Sequence, residues 1–308
     1  MSLLLKLLQR LFGAGLTLLI LLAFCLALLR AVPGGPFDGE RIAVPEVQAA
    51  LAARYGTDQG YWQQLGQYLS HAVRGDLGPS FQYADFSVSE LLAQALPITL
   101  SIGAVGLLAA WLSALPIALF AVAHPGSWLA SSVRALSSGL MSTPKFVSAP
   151  MLALVFAVWL GWLPSAGLGE PLWQSLLLPS LSLALTQLGL AIRVLYGALI
   201  GILNSEVMRA ARARGLGAQR LQWRHLLPIA LPSALAFLLP SAVAVLTGSA
   251  VVEQVYGLPG LGRTLVQAAL NRDYTMLLGV VMVSGVIVLA VGWAVELLLG
   301  LLDPRRRQ

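Results

Sequence analysis

The sequence is poor in the residues that soluble proteins use to cover their surfaces. Only 10% of its 308 residues are charged and 58% are hydrophobic, whereas about 25% of an average soluble protein is charged. Its 19 basic and 13 acidic side chains are too few to cover a soluble protein of this length. This composition predicts an all-α polytopic membrane protein.

Cysteine and lysine are also scarce, and their scarcity excludes several kinds of site. A single cysteine, Cys25, excludes a disulfide framework, a zinc ribbon and an iron–sulfur cluster within one chain. Neither of the two lysines, Lys6 and Lys145, follows a glycine, so the chain has no phosphate-binding loop. We expect no cofactor in this chain, and ATP-driven work would need another chain to bind the ATP.

Six apolar stretches are long enough to cross a membrane, which takes about 20 helical residues. They are Leu11–Ala31, Pro97–Ala123, Leu136–Leu160, Leu176–Leu199, Ile229–Val252 and Met276–Leu302. Prolines within these stretches each remove a backbone hydrogen-bond donor, which predicts kinks or half-helices. These prolines are Pro116, Pro144, Pro150, Pro179, Pro232 and Pro240.

The positions of the basic residues predict the orientation of the spans. With a cytoplasmic N-terminus, 12 lysines and arginines fall on the cytoplasmic side and 6 on the outer side. Ten of the 13 acidic residues also fall outside. We therefore predict cytoplasmic N- and C-termini, and the net charge of +6 needs no nucleic-acid partner to explain it.

The spans divide the chain into four parts: a first helix at 1–31, an extracytoplasmic segment at 32–96, a five-helix core at 97–302 and a tail at 303–308. Within the outer segment, Glu46–Arg54 and Tyr61–Arg74 have the pattern of short amphipathic helices. Gly75–Pro79 is typical of a turn. We predict a small subdomain on the membrane surface, with either a folding or a binding role.

One predicted cytoplasmic loop, residues 205–228, has the pattern of two short helices separated by glycine. Ser205 is a candidate N-cap that precedes an acidic first turn. Gly215 is expected to end the first helix in a left-handed turn, and a second helix from Ala218 leads to Leu227-Pro228. Small side chains and arginines suit the docking of another protein. A solvated loop and an interfacial anchor are the alternatives.

The same loop resembles the cytoplasmic loop of permeases of binding-protein-dependent ABC importers. That pattern is Glu-Ala-Ala, three residues, Gly, nine residues, Ile, one residue and Leu-Pro. Here Arg209-Ala210-Ala211 stands at the first position, Gly215 follows after three residues, and Leu227-Pro228 has the family spacing. Arg209 replaces the acidic residue, as in the peptide-permease branch, and His225 replaces the isoleucine.

Further blocks carry the resemblance in the order and spacing of the family. They are Pro33–Arg41, Arg74–Phe81, Gly161–Pro164, Gly248-Ser249, Tyr256–Gly262, Leu270–Tyr274 and Leu302–Arg305. The first block is similar to the B subunit of oligopeptide permeases, and favours it over the dipeptide and nickel branches.

The resemblance implies a type I ABC importer permease fold in the bacterial inner membrane. It implies a heterodimer with a second homologous permease subunit, two cytoplasmic ATPases that bind ATP and Mg²⁺, and an extracytoplasmic peptide-binding protein. This chain would then be a non-catalytic subunit that forms half of an oligopeptide pathway, with dipeptides, peptide-linked antibiotics and nickel chelates as alternatives. Its ATPase-coupling residues would be Arg209, Ala210, Ala211, Arg212, Gly215, Leu216, Leu221, Leu227 and Pro228.

Two charged residues are candidates for the translocation path. Lys145 follows Pro144 early in the third span. Inserting a lysine into a membrane costs about 2.5–3.5 kcal/mol at the centre of a span. Lys145 faces the pathway or its cytoplasmic vestibule, or else reaches out to headgroups. Glu253, at the outer end of the fifth span, is a candidate gate, a contact for the binding protein or an ordinary interfacial acid.

Two other classes of function remain for comparison. A secondary transporter would carry its own coupling site, often paired acids in broken helices, and acids are nearly absent from these spans. An intramembrane enzyme would need a catalytic motif, and the sequence has neither His-Glu-x-x-His nor Gly-x-Ser-x-Gly.

Overall fold

A computed structural model describes residues 3–32, 59–83 and 85–302. These ranges are helical, joined by turns, with a single isolated β-bridge between Pro79 and Ser87. The all-α prediction is therefore confirmed for the described residues. The predicted helix at 46–54, the first motif block at 33–41 and the tail at 303–308 lie outside them.

We number twelve α-helices of the described ranges in chain order. They are α1 (Leu3–Ala31), α2 (Tyr61–Ala72), α3 (Val88–Ala123), α4 (Trp128–Ser142), α5 (Lys145–Leu152), α6 (Leu172–Leu203), α7 (Glu206–Ala213), α8 (Ala218–Leu221), α9 (Leu227–Leu235), α10 (Leu238–Val255), α11 (Leu261–Leu270) and α12 (Tyr274–Leu302). Two π-helical segments, Ala153–Trp159 and Gln222–Leu226, continue α5 and precede α9.

Five of these helices are long and apolar enough to cross a membrane: α1, α3, α6, α10 and α12. The predicted third span, Leu136–Leu160, is not one straight helix. It is divided between α4 and the helix from Lys145 to Trp159, which meet at a bend of 101°. The described chain thus has five candidate spans, or six if the bent pair is counted as one.

The prolines break helices only where they stand at a helix start. Pro144 precedes α5 at the 101° bend, and Pro240 lies in the first turn of α10, after the break between α9 and α10. A proline in a first turn removes a donor that has no partner within the helix, so a helix starts there at little cost. The helices continue through the other four prolines, Pro116, Pro150, Pro179 and Pro232.

Helix α3 begins at Val88 and not at Pro97, the predicted start of the second span. Ser87 and Glu90 form a capping box that fixes this start. The Ser87 hydroxyl accepts from the Glu90 N–H at 3.2 Å, and the Glu90 carboxylate accepts from the Ser87 N–H at 3.0 Å. The two hydrogen bonds satisfy backbone donors at the start of the helix.

The chain divides into two compact units, the first comprising Met1–Ile98 with Pro259–Leu289. In this unit α2 packs on α1: the Tyr61 hydroxyl donates to the Ala23 carbonyl at 2.6 Å, and Leu65 is buried with Leu22 and Leu26. The predicted amphipathic helix at 61–74 is therefore confirmed in place as Tyr61–Ala72.

The second unit comprises Thr99–Leu258 with Ala290–Gln308. Its core includes buried residues of α3, α6 and α9. Helix α6 also approaches α4 closely, because Gly189 has no side chain. A Cβ at Gly189 would lie 2.7 Å from the Ser137 carbonyl oxygen and 3.0 Å from the Leu140 Cβ. The 205–228 loop lies entirely within this unit.

Candidate functional site

The 205–228 loop consists of α7, a glycine turn, α8 and a π-helical segment that runs into α9 at Leu227. The predicted pattern of helix, glycine and helix is therefore confirmed. Pro228 occupies the first turn of α9, where its missing N–H costs no helical hydrogen bond.

The start of α7 differs from the prediction in one detail. Ser205 stands at the N-cap, and its carbonyl accepts from the Arg209 N–H at 3.1 Å. Its hydroxyl makes no capping hydrogen bond and lies buried without a partner in the described part of the chain. The expected side-chain cap is therefore wrong, because this hydroxyl points into the protein and not at the first turn.

The end of α7 follows the prediction. Gly215 has a φ of +71°, the left-handed conformation that glycine adopts without strain, and its N–H bonds the Arg212 carbonyl at 2.9 Å. The Arg212 guanidinium donates to the carbonyl of Leu203, the last residue of α6, at 3.0 Å. Arginine therefore ties α7 to the end of a long helix.

One face of the loop is packed into the core of the second unit. Met208 is 0% exposed, and Ala211, Leu221 and Leu226 are buried with it in the cluster that also holds Leu119 of α3. Leu216 packs partly buried against the same cluster. Because buried apolar side chains on both sides of the turn share one core, the loop is joined to α3 and α6.

The opposite face of α7 is open. Val207 is 57% exposed, and Ala210 and Arg214 are exposed at helical spacing beside it. Arg209 and Glu206 pair at 3.5 Å, but both side chains are exposed, so this pair contributes little to stability. On the exposed face the small side chain of Ala210 therefore lies between charged residues, where a partner could approach the helix closely.

The structure places Lys145 at the first residue of α5, directly after the bend. Its ammonium donates to the Ala244 carbonyl of α10 at 2.7 Å. The lysine side chain lies over Gly248, where a Cβ would overlap Nζ and would lie 2.7 Å from both Cδ and Cε. The lysine therefore connects the two helices at a point where only glycine leaves room for it.

Glu253 is 0% exposed, on the buried face of α10. Its Oε1 accepts a hydrogen bond from the Thr99 hydroxyl at 2.7 Å. Ala244 and Glu253 are separated by about 13 Å along the helix, at 1.5 Å per residue. Lys145 is therefore bonded to α10 and Glu253 is part of it, but the two do not form one site, and their roles in translocation stay predictions.

Sequence reasoning missed a buried hydroxyl cluster one turn beyond Glu253. The Tyr256 hydroxyl donates to the Ala149 carbonyl at 2.9 Å and lies 3.1 Å from the Ser182 hydroxyl. The tyrosine is 1% exposed, so its two partners satisfy a phenol that would otherwise be costly to bury. Tyr256 is the first residue of the Tyr256–Gly262 block. The motif therefore singled out this residue, but it could not predict which groups its hydroxyl contacts.

Two of the motif blocks meet in the first unit. Asp273 is 2% exposed; its Oδ1 accepts from the Met276 N–H at 3.0 Å and from the Thr275 hydroxyl at 3.1 Å. Its Oδ2 accepts from the Ser80 hydroxyl and from the Gln82 N–H, the latter at 3.3 Å. Asp273 therefore caps α12 and at the same time holds the 74–81 block against it.

Comparison with known proteins identifies the family to which this arrangement belongs. Residues 85–308 match the family described as "Binding-protein-dependent transport system inner membrane component". The chain belongs to this family. It is therefore a permease subunit of a binding-protein-dependent ABC transporter, a non-catalytic transport subunit with several membrane-spanning helices in the inner membrane. The predicted family is confirmed.

Similar full-length proteins extend the match over nearly the whole chain. The oligopeptide transport system permease protein OppB of Haemophilus influenzae is 35% identical over 299 residues, which cover 97% of this chain and 98% of that protein. OppB of Escherichia coli K12 is 35% identical over 291 residues, covering 94% of this chain and 95% of that protein.

A solved structure also shares the fold. A chain in the inward-facing MetNI methionine ABC transporter superposes with a TM-score of 0.59 at 21% identity, covering 69% of this chain and 96% of that chain. The fold is therefore that of an ABC importer permease.

Proposed function

We propose that this permease forms half of the translocation pathway of an ATP-driven oligopeptide importer. The observation that carries the proposal is the 205–228 loop, which is packed on one face, open on the other and ended by Gly215 at a positive φ. The names of the 35%-identical relatives, oligopeptide transport system permeases, support the substrate class.

The membrane arrangement proposed is six spans with both termini in the cytoplasm. The bent pair formed by α4 and the helix from Lys145 to Trp159 counts as the third span, beside the five continuous candidates. The excess of 12 basic residues over 6 supports the orientation, because lysine and arginine accumulate on the cytoplasmic side. The segment at 32–96 is then an extracytoplasmic subdomain.

The partners proposed are a second homologous permease subunit, two ATPases that bind ATP and Mg²⁺, and an extracytoplasmic peptide-binding protein. The exposed face of α7, around Val207, Ala210 and Arg214, is the ATPase-docking surface. Small side chains allow a partner to approach closely, and arginine supplies directional hydrogen bonds. Leu227 and Pro228 carry the loop into α9 and complete the coupling element.

The packing of the loop suggests how ATPase motion reaches the membrane. Met208 and Ala211 share a core with residues of α3 and α6, and Arg212 bonds the end of α6. A close-packed contact transmits displacement because it cannot be compressed. Movement of an ATPase that holds α7 therefore shifts α3 and α6, which alternates access to the pathway.

Substrate and energy source can be tested together by reconstitution. With the partner permease, the ATPases and the binding protein in proteoliposomes, we expect a neutral pentapeptide to accumulate only with ATP on the ATPase side. The control is a complex with a hydrolysis-deficient ATPase, which should give no accumulation. A dipeptide, a peptide-linked antibiotic and a nickel chelate are assayed in parallel, and uptake of one of these without the pentapeptide would contradict the proposal. Uptake driven by an ion gradient without ATPases would indicate a secondary transporter instead.

A further inference from the structure

Lys145 carries a charge that the packing of α5 on α10 does not require. The polar part of its contact with α10 is one hydrogen bond, from the ammonium to the Ala244 carbonyl at 2.7 Å. A neutral donor would supply the same bond without the cost of placing a charge in a membrane span. An ammonium has three N–H donors, and this bond uses one of them.

No carboxylate neutralises this charge within the described ranges. Among the described residues Lys145 takes part in no ion pair, whereas Arg209 pairs with Glu206. The buried carboxylate of Glu253 is bonded by Thr99 and lies about 13 Å further along α10 from the Ala244 carbonyl. In this chain the ammonium therefore has donors left for an anion that arrives from elsewhere.

The position of the ammonium is also fixed. Gly248 leaves the space that the lysine stem fills, since a Cβ there would overlap Nζ and lie 2.7 Å from Cδ and Cε. Ala244 lies one helical turn before Gly248 on α10, and its carbonyl holds the ammonium at the end of the side chain. The half-buried lysine is thus held at the bend of a broken span, with its ammonium bonded to α10.

We propose that Lys145 binds the C-terminal carboxylate of the peptide during translocation. This assignment rests on the proposed function as a peptide permease. A pathway that carries peptides of varied sequence can recognise only the groups that all of them share, which are the backbone and the two termini. Of these, the carboxylate is the anion, and its charge-assisted hydrogen bond to an ammonium is about twice as strong as a hydrogen bond between neutral groups.

The experiment compares two forms of one neutral pentapeptide, with a free C-terminal acid and with a C-terminal amide. ATP-driven uptake of each is measured for the wild-type complex and for Lys145→Gln in proteoliposomes. The same binding protein delivers both peptides to both complexes. Its own preference therefore cancels when the acid-to-amide uptake ratio of Lys145→Gln is divided by that of the wild type. We expect Lys145→Gln to lower the acid-to-amide uptake ratio about tenfold, which corresponds to about 1.4 kcal/mol.

Gly248→Ala is the matched second variant, because it keeps the charge and moves it. The added methyl group displaces the ammonium from its place over residue 248, and we expect the acid-to-amide ratio to fall here as well. Co-purification of both variants with the ATPases controls for folding. A third peptide, amidated and with an internal aspartate, separates the terminal carboxylate from carboxylates in general, and its uptake should follow that of the neutral amide.

The outcomes separate this assignment from the proposed function. Equal losses of acid and amide uptake in Lys145→Gln would overturn it, and would make the lysine a helix contact or a partner of the second permease. If Lys145→Gln reduced uptake of the aspartate peptide as much as uptake of the free acid, the assignment to the terminal carboxylate would also be overturned. Failure of the wild-type complex to take up either neutral peptide would instead overturn the proposed function, and this assignment with it.

Discussion

Replacing Ala210 with tryptophan should lower the affinity of the permease for its ATPases about 100-fold and reduce ATP-driven uptake to background. Ala210 is exposed on α7, so the new ring leaves the packed face of Met208 and Ala211 undisturbed. A bulky ring at the centre of the proposed docking surface should hold the ATPase away. The 100-fold change corresponds to about 2.8 kcal/mol, within the range of interface hot spots.

The affinity is measured by binding purified ATPase to the solubilised permease pair. Ala166→Trp is the matched control, since Ala166 is an exposed alanine in the turn that precedes α6. The control should keep the ATPase affinity within about twofold, as exposed substitutions away from an interface do. Wild-type affinity in Ala210→Trp would remove Ala210 from the interface, and an equal loss in both variants would point to a damaged fold.

Replacing Asp273 with alanine should destabilise the first unit by about 3 kcal/mol. The substitution removes the cap of α12 and leaves the Ser80 hydroxyl and the Met276 N–H without their acceptor. Losing the cap, which is the Met276 N–H bond, costs about 1 kcal/mol, and leaving the buried Ser80 hydroxyl without its acceptor adds about 1–3 kcal/mol. Thermal unfolding of the purified protein in detergent measures the effect.

A series of substitutions separates the two tasks of this carboxylate. Asp273→Asn keeps an oxygen for the Met276 N–H but turns an amide towards Ser80, so its effect should fall between those of the wild type and Asp273→Ala. Asp76→Ala is the matched control, because Asp76 is an exposed aspartate whose carboxylate accepts from the Gly78 N–H at 2.9 Å. This substitution should cost less than about 1 kcal/mol. A midpoint temperature of unfolding for Asp273→Ala equal to that of Asp76→Ala would contradict the role assigned to the buried carboxylate.

The sequence predicted best what depends on neighbouring residues. Gly215 ends α7 because a left-handed residue is needed there, and the amphipathic pattern after Tyr61 forms α2. The start of α3 could also have been predicted, since Ser87-Val88-Ser89-Glu90 has the spacing of a capping box. The predicted start at Pro97 rested instead on the extent of the apolar stretch.

Features that depend on contacts between distant residues were beyond the sequence. The family blocks around Ser80 and Asp273 were recognised separately, but their meeting depends on the packing of α12. Gly248 gave no sign of the lysine that fills its space, because glycine is common throughout this chain. The 101° bend was also underestimated, since a proline signals a break without fixing the direction of the next helix.

The most direct test of the coupling account is a photo-cross-link from the exposed face of α7. Cys25 is the only cysteine, so Cys25→Ser gives a cysteine-free background in which Ala210→Cys can carry a benzophenone maleimide. Ser165→Cys, in the exposed turn before α6, is the matched position on the predicted outer side. Illumination in membranes that contain the whole complex should join residue 210 to an ATPase and residue 165 to none. An ATPase cross-link from residue 165, or its absence from residue 210, would contradict the assignment of this loop as the element that couples the permease to ATP.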